Sequence, residues 1–181
     1  MFDLIKQDMC KFKHHWPFKP SMVTSLMNPR FWPMLIFRVS SFLYRHHFKV
    51  SSKLVALLNQ IMFGCDIGRG ATIGGGLYMP HPQGIVIGEY VTIGKNCIVH
   101  QGVTFGARGE EHELANPSVG DEVEIATGAK LIGGFKIGHY ARIGANAVVL
   151  KDVPDFGIAV GLPAKVVKYR QDIDIKGVVP F

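Results

Sequence analysis

The 181-residue sequence contains few cysteines, and its opening segment lacks a long apolar run. Cys10, Cys65 and Cys97 are an odd number without metal-ligand spacing, which predicts reduced thiols and argues against a disulfide framework. Lys6 and Asp8 interrupt the first residues before an apolar core forms, so a secretory signal peptide is not expected. These features predict a cytoplasmic protein.

A six-residue repeat is what the sequence has instead. Aliphatic residues recur every sixth position, with one interval of fourteen residues and one of twenty, at Ile67, Ile73, Ile87, Ile93, Val99, Val119, Ile125, Leu131, Ile137, Ile143 and Val149. Four places after each of them stands a second small or apolar residue, and none of these residues is charged. Two of every six side chains therefore point into a narrow, dry interior.

Short strands joined at fixed spacing by Gly, Asn or Asp turns predict a parallel β-solenoid, in which each repeat buries its face by stacking on the next. Three hexads make a triangular coil of 18 residues. Neighbouring coils are expected to lie about 4.8 Å apart through ladder hydrogen bonds. We predict a solenoid over residues 64–168, followed by a tail over residues 169–181.

The positive charge of the chain is concentrated in residues 1–63, which carry nine Lys and Arg against two Asp. The stretches 34–45 and 53–63 have apolar residues at helical spacing and predict two amphipathic helices. Arg38 and Lys53 interrupt them, so neither is expected to span a membrane. This basic, aromatic cap is expected to cover the open end of the solenoid, with contact to an anionic membrane surface as the alternative. Nucleic acid is disfavoured because no recognition motif accompanies the charge.

The hexad rhythm breaks in two places, and such breaks are good places for recognition. Fourteen residues separate Ile73 from Ile87, two more than two hexads, and His81 lies in that interval. Twenty residues separate Val99 from Val119, two more than three hexads. The second break predicts a protruding loop over residues 105–117.

From about Arg38 to Lys168 the chain resembles the serine acetyltransferases and their relatives that acetylate surface polysaccharides. The resemblance rests on Asp66-Ile67-Gly68, on His81, on residues 84–89 (Gly-Ile-Val-Ile-Gly-Glu), on residues 102–106 (Gly-Val-Thr-Phe-Gly) and on residues 161–165 (Gly-Leu-Pro-Ala-Lys). It implies the left-handed parallel β-helix of the hexapeptide-repeat acyltransferases, with a short N-terminal helical cap. It also implies transfer of an acetyl group from acetyl-CoA to a hydroxyl.

His81 suits the base that such a transfer needs, because a neutral imidazole takes the hydroxyl proton at cytoplasmic pH. Asp66 lies fifteen residues earlier, close to one coil back, where a carboxylate can fix the imidazole tautomer. The resemblance implies the same catalytic pair. Alone, each residue would equally suit an ordinary turn.

The acceptor is predicted from departures within the resemblance. The serine enzymes carry Arg-His-Pro where this chain has Ala115-Asn116-Pro117, and the Arg binds the serine carboxylate. A loop of the type Gly-x-Arg-Gly, matched by residues 106–109, is similar to the colanic-acid and capsular polysaccharide enzymes. A sugar hydroxyl is therefore the expected acceptor, with Arg108 and Asn116 as substrate-binding candidates and L-serine as the alternative.

The resemblance further implies a homotrimer whose acetyl-CoA sites lie between subunits. By position it assigns the cofactor to Gly106, Ala107, Thr127, Ala145 and Lys165, the last near the nucleotide. Small residues permit close backbone approach and a lysine meets phosphate. Thr127 and Ala145 would also suit ordinary turns.

Two other classes of function fit less well. A zinc enzyme needs three convergent ligands, and His81, His100, His112 and His139 do not show such spacing, so no metal is expected. His100 is interpreted as a surface or interface residue, with a role as a second base as the alternative. A non-catalytic trimeric scaffold would lack the catalytic pair, whereas Asp66 and His81 are both present.

Overall fold

The computed structural model, which describes residues 1–11, 22–109 and 114–170, contains four N-terminal helices followed by a parallel β-solenoid. The helices are α1 (Phe2–Lys11), α2 (Met22–Leu26), α3 (Trp32–Arg45) and α4 (Lys49–Phe63). The strands are β1 (Asp66–Ile67), β2 (Thr72–Ile73), β3 (Val86–Ile87), β4 (Thr92–Ile93), β5 (Ile98–Val99), β6 (Thr104–Gly106), β7 (Ser118–Val119), β8 (Glu124–Ile125), β9 (Lys130–Ile132), β10 (Lys136–Ile137), β11 (Arg142–Ile143), β12 (Val148–Val149), β13 (Gly157–Gly161) and β14 (Ala164–Tyr169).

Three sheets form the three faces of the solenoid. The first face is β1-β3-β6-β9-β12, the second is β2-β4-β7-β10, and the third is β5-β8-β11-β13-β14. All pairs are parallel except β13 with β14, and residues of successive coils stand in register, as Ile67 opposite Ile87 and Ile87 opposite Phe105 show. Parallel strands of only two or three residues are stable here because every coil is paired with its neighbours.

The core consists of the repeated positions that the hexad pattern predicts. Every residue at the sixth-position beat is at most 4% exposed, and the second inward set behaves in the same way, with Phe135 the most exposed at 7%. Phe105 is completely buried in this core. The first residues of the predicted loop are therefore part of the coil, because Phe105 and Gly106 belong to β6.

Three columns of turns join the faces: the His81 corner, the loop corner and the Asp121 corner. The His81 corner joins the third face to the first and comprises residues 79–85, 100–103, 126–129 and 144–147. The loop corner joins the first face to the second and comprises residues 68–71, 88–91, 107–109, 114–117, 133–135 and 150–152. The Asp121 corner joins the second face to the third and comprises residues 74–77, 94–97, 120–123, 138–141 and 154–156.

The helices pack on the first coil, and they extend further than the sequence pattern predicts. α3 begins at Trp32 with Pro33 in its first turn, and α4 ends at Phe63 and is capped by Gly64, whose φ of 63° suits a glycine. Asn59 Nδ2 donates to Pro33 O at 3.0 Å and ties α4 to α3. Within the described residues, no helix has the length and apolarity that crossing a bilayer requires.

A buried ion pair anchors the cap to the solenoid. Arg38 Nε donates to Asp8 Oδ2 at 3.0 Å, and its two terminal nitrogens donate to Ile73 O and Gly74 O, both at 2.6 Å. The N–H of Gly76 donates to Asp8 Oδ1 at 2.7 Å. Burial raises the pKa of Asp8, while the Arg38 side chain and the Gly76 N–H oppose that shift. Arg38 is therefore a buried residue that links α1 to the first coil and does not lie on the surface.

The solenoid ends in an antiparallel hairpin that the hexad pattern does not predict. β13 continues the third face beside β11, and β14 folds back on it. Val160 stands opposite Lys165 in this hairpin. The predicted tail from residue 171 onward lies outside the described residues.

Candidate active site

The two extra residues of the first break lie at the His81 corner. Val99 N–H donates to Tyr78 O at 3.0 Å, and Gly102 N–H donates to Gln83 O at 3.0 Å. Three residues, 80–82, therefore face the single residue His100 of the next coil. The insertion carries His81 outward at this corner, where its side chain is exposed.

Asp66 begins β1 beside the same corner. Its N–H donates to Ile85 O at 2.9 Å, and Gly84 N–H donates to Gly64 O at 2.7 Å, so the turn after His81 stacks directly on the residues before Asp66. The Asp66 side chain is exposed on the first face. In the described part of the chain no hydrogen bond or ion pair joins Asp66 to His81. The structure brings the pair to one corner without such a bond between the two side chains.

Three of the predicted cofactor residues follow His81 along the same corner. Gly128 N–H donates to Gln101 O and Asn146 N–H donates to Thr127 O, both at 2.9 Å, so Thr127 and Ala145 lie in the next coils of one column. The column from the His81 turn to Ala145 spans three coil spacings, about 14 Å. Lys165 is exposed on the hairpin that follows β11. One side of the solenoid thus carries a continuous path from the imidazole to a lysine.

Thr127 also has a local structural role. Its hydroxyl donates to Gln101 O at 3.1 Å, which satisfies a turn carbonyl. Ala145 is exposed and offers little beyond its backbone. Both residues leave the backbone of this corner accessible, as a ligand that runs along it requires.

The remaining predicted residues lie at the loop corner or at the strand end next to it. Gly106 O accepts from Gly133 N–H at 2.9 Å, and a Cβ placed on Gly106 would meet no heavy atom within 4 Å, so its outer side is open. Ala107 follows it, and the exposed Arg108 lies on the outgoing part of the loop. Residues 110–113, and His112 with them, lie outside the described residues.

The returning part of the loop lies against the coil. Asn116 Oδ1 would be 3.1 Å from a Cβ on Gly88, and Ala115 packs equally close to Gly134. Pro117 O then accepts from Thr92 N–H at 3.2 Å, which restores the second face. Position 115 is thus occupied by a methyl group where the serine enzymes, by the resemblance, carry an arginine.

Within one copy of the chain, the first face separates these two groups of residues. Asp66, Val86, Thr104 and Lys130 stand in register across that face. Lys130 Nζ donates to Gly102 O at 2.7 Å and to Thr104 Oγ1 at 3.1 Å. A single copy therefore does not bring Gly106 and Ala107 together with Thr127 and Ala145.

A cavity of about 550 Å³ lies between α4 and the first coil. Asp66 and Glu89 line it from the solenoid, and Lys53, Leu54 and Leu57 line it from α4. The hexad pattern concerns only the solenoid, so it gives no sign that a helix forms one wall beside Asp66. The carboxylate thus faces a pocket with both apolar and cationic walls.

The cysteines do not provide a nucleophile for this site. Burial raises the pKa of Cys65 and of Cys97 to about 12 each, so both thiols stay protonated at neutral pH. The described residues contain no group of three or more His, Cys, Asp or Glu side chains that converge on one point. The chemistry offered at the His81 corner is that of an imidazole and a carboxylate.

Comparison with known proteins gives one consistent family. No family model matches the chain. It is 41% identical to the serine acetyltransferase of Bacillus subtilis over 142 residues, which are 76% of this chain and 65% of that protein. It is 36% identical to the serine acetyltransferase of Synechococcus elongatus over 150 residues, 83% of this chain and 61% of that protein. The chain thus spans less than two thirds of the length of these relatives.

Solved structures agree in fold over nearly the whole chain. A serine acetyltransferase of Neisseria gonorrhoeae matches with a TM-score of 0.87 and 30% identity over 99% of this chain and 72% of that chain. The soybean enzyme, solved with serine, matches with a TM-score of 0.83 and 33% identity over 91% of this chain and 68% of that chain. A serine acetyltransferase solved with CoA matches with a TM-score of 0.82 and 32% identity over 91% and 68%.

These relatives do not support the predicted placement nearest the polysaccharide acetyltransferases, because all of them are named serine acetyltransferases. The broader prediction is confirmed: the chain belongs to the serine acetyltransferase-like family of hexapeptide-repeat acyltransferases.

Proposed function

We propose that the protein is an acetyl-CoA-dependent O-acetyltransferase that acts at the His81 corner. The observation that carries the proposal is the single column of this corner, which runs from the exposed His81 past Thr127 and Ala145 toward Lys165. An extended thioester cofactor fits that path, with its reactive end at the imidazole and its phosphates at the lysine.

His81 removes the proton of the acceptor hydroxyl as the oxygen attacks the thioester carbonyl. Asp66 orients the imidazole and stabilises it once it is protonated. Among the described residues no hydrogen bond joins the two side chains, and catalytic hydrogen bonds of this kind often tighten only in the complex with substrate. Acetyl-CoA supplies the activated acetyl group, and CoA leaves as the free thiol.

A homotrimer is part of the proposal because one copy leaves the site incomplete. The loop corner of one subunit, with Gly106 and Ala107, would face the His81 corner of the next. α4 supports such an arrangement, since it exposes an apolar surface formed by Val50, Leu54, Leu57, Leu58, Ile61 and Met62, each at least 45% exposed. Apolar surface of this extent marks protein contacts.

L-serine is the acceptor that we propose first, because the relatives are named for it. Its carboxylate requires a cation, and Ala115 cannot supply one. Arg108, exposed on the same loop, is the residue that we assign to this role. We assign to Asn116, which packs beside Gly88, a hydrogen bond with the molecule that receives the acetyl group, because its amide can both donate and accept.

A saccharide hydroxyl is the second candidate. The observation that favours it is the methyl group of Ala115 at the position where the serine enzymes carry an arginine. A neutral acceptor would not need that cation. Membrane contact through the N-terminal helices stays a sequence-based prediction that no relative supports.

The test is release of free CoA from acetyl-CoA, measured with L-serine and with a panel of bacterial capsular and exopolysaccharide oligosaccharides. We expect turnover with L-serine, and we expect Arg108→Gln to raise the KM for serine about tenfold without changing the KM for acetyl-CoA. Turnover with saccharides alone would replace the first acceptor by the second. Absence of turnover with every acceptor, together with binding of CoA, would favour the non-catalytic scaffold and contradict the proposed function.

A further inference from the structure

His100 lies in the coil next to His81 and at the same corner. Its N–H donates to Ile125 O at 3.0 Å, which fixes it directly after β5. The insertion at residues 80–82 stands opposite this one residue. The sequence places His100 nineteen residues after His81, about one coil of 18 residues, and the stacking of the coils shows which residues it faces.

The carboxylate of Glu124 lies near the imidazole of His100 and is itself paired with Arg142. Its Nε2 lies 3.9 Å from Glu124 Oε1, and Arg142 Nε lies at ion-pair distance, 3.0 Å, from Glu124 Oε2. Glu124 and Arg142 are in register on the third face, and the Glu124 side chain is only 13% exposed. Because Arg142 holds Glu124, the carboxylate has a fixed position 3.9 Å from the His100 ring, longer than a hydrogen bond but near enough for a small shift of the ring to form one.

The positions that follow His100 along the corner are small. Ala126 N–H donates to Ile143 O and Gly144 N–H donates to Ala159 O, which places both residues in register with His100 in the next two coils. Neither has a side chain longer than a methyl group. His100 is therefore the first residue of a row that continues with the small residues Ala126 and Gly144. It lies one coil after His81 and one coil before Thr127.

We infer that His100 is a further acetyl-CoA-binding residue, which hydrogen-bonds the pantetheine arm next to the thioester and is oriented by Glu124. The inference rests on the proposed function, because it takes the path of the cofactor from the His81 corner. His81 handles the hydroxyl proton at the acceptor end. His100, one coil further toward Lys165, meets the cofactor side of the reacting carbonyl, where the amide groups of pantetheine offer both donors and acceptors.

The test compares His100→Leu with His139→Leu in the intact chain. His139 is a matched control because its Nδ1 lies 3.7 Å from a carboxylate, Asp121 Oδ2, at the corner that the cofactor does not use. Titration calorimetry gives the Kd for CoA, and steady-state kinetics give the KM for acetyl-CoA and for the acceptor.

We expect His100→Leu to weaken CoA binding and to raise the KM for acetyl-CoA about five- to tenfold, the worth of one hydrogen bond. The KM for the acceptor should not change, and His139→Leu should match the wild type. His100→Gln, whose amide retains a donor, should recover part of the affinity, and Glu124→Gln should lose part of it because the ring is less well oriented.

Four outcomes would overturn the inference. Wild-type CoA affinity in a folded His100→Leu would remove His100 from the cofactor path. Equal losses in His139→Leu would show a general effect on the solenoid. If His100→Leu does not fold, a His100→Gln variant with a smaller but measurable loss of CoA affinity supports the inference, and one with unchanged binding and KM overturns it. If the wild type itself binds no CoA, the proposed function fails together with this inference.

Discussion

The Asp121 corner and the His81 corner are built from the same hexads but use their polar residues in different ways. At the Asp121 corner, Lys95 N–H donates to Asp121 Oδ1 and His139 N–H donates to Asp155 Oδ1, both at 2.7 Å. Asp121 N–H donates in turn to His139 Nδ1 at 3.0 Å. Polar side chains at this corner accept hydrogen bonds from backbone N–H groups of the adjacent coil.

The His81 corner leaves its catalytic candidates without such duties. In the part of the chain that the structure describes, Asp66 and His81 make no side-chain hydrogen bond, and the insertion at residues 80–82 breaks the stacking that would use them. An imidazole bound to backbone N–H groups cannot accept a proton from a substrate. The insertion at the His81 corner therefore leaves polar side chains available for the reaction that we propose, whereas the Asp121 corner uses its polar side chains to hold the solenoid together.

Removing the imidazole should give the largest effect. His81→Ala is expected to lower turnover at least about a hundredfold because the base is lost, while the fold, held by the buried hexads, remains. CoA release at saturating substrates measures it. His139→Ala is the matched control and should retain wild-type turnover; comparable losses in both variants would erase the distinction between the corners.

Removing the charge of Asp66 should give a smaller loss. Asp66→Asn keeps the shape of the side chain and is expected to slow turnover roughly tenfold, because orientation is impaired while the base remains. The kcat of the variant is the measurement. An unchanged kcat would take Asp66 out of the catalytic pair and leave it as a wall of the cavity beside α4.

At the Asp121 corner, loss of a carboxylate should affect stability and leave activity unchanged. Asp121→Ala removes the acceptor of the Lys95 N–H and should reduce the free energy of unfolding by about 1 kcal/mol. Urea denaturation gives that value, and CoA release gives the activity. A loss of turnover in a protein of near-normal stability would mean that this corner also serves the reaction.

The smallest effect is expected for the two buried cysteines, whose thiols should be equally unreactive. Burial raises the pKa of Cys65, before β1, and of Cys97, at the Asp121 corner, to about 12 each, so neither should react with a thiol reagent at pH 8. Exposed Cys10 should react at once. Because a buried thiol ionises only in the unfolded chain, stability should fall as pH rises from 9 toward 12. Rapid labelling of Cys97 alone would show that the Asp121 corner opens.

The solenoid is predictable from sequence because each hexad repeats one environment. Residues as distant as Ile67 and Val149 occupy equivalent inward positions, each opposite an aliphatic residue of the adjacent coil, so the spacing alone identifies the core. The Asp8–Arg38 pair lacked such a signal, since it joins two segments thirty residues apart that do not repeat. The β13–β14 hairpin was missed for the same reason.

The site is predictable only in part. The break in rhythm located His81 within fourteen residues, but only the stacked hydrogen bonds show that the extra residues lie at residues 80–82. Glu124 and Arg142 look like ordinary outward residues of two strands, and their position beside His100 depends on coil register. The acceptor was the least predictable part, because it depends on a loop that departs from the repeat.

The most direct test of the central claim is a crystal structure of the protein with CoA bound. We predict that CoA lies along the His81 corner, with its sulfur beside His81, its pantetheine arm passing His100 and Thr127, and its phosphates toward Lys165. CoA bound along the Asp121 corner, or confined to the cavity between α4 and Asp66, would contradict it.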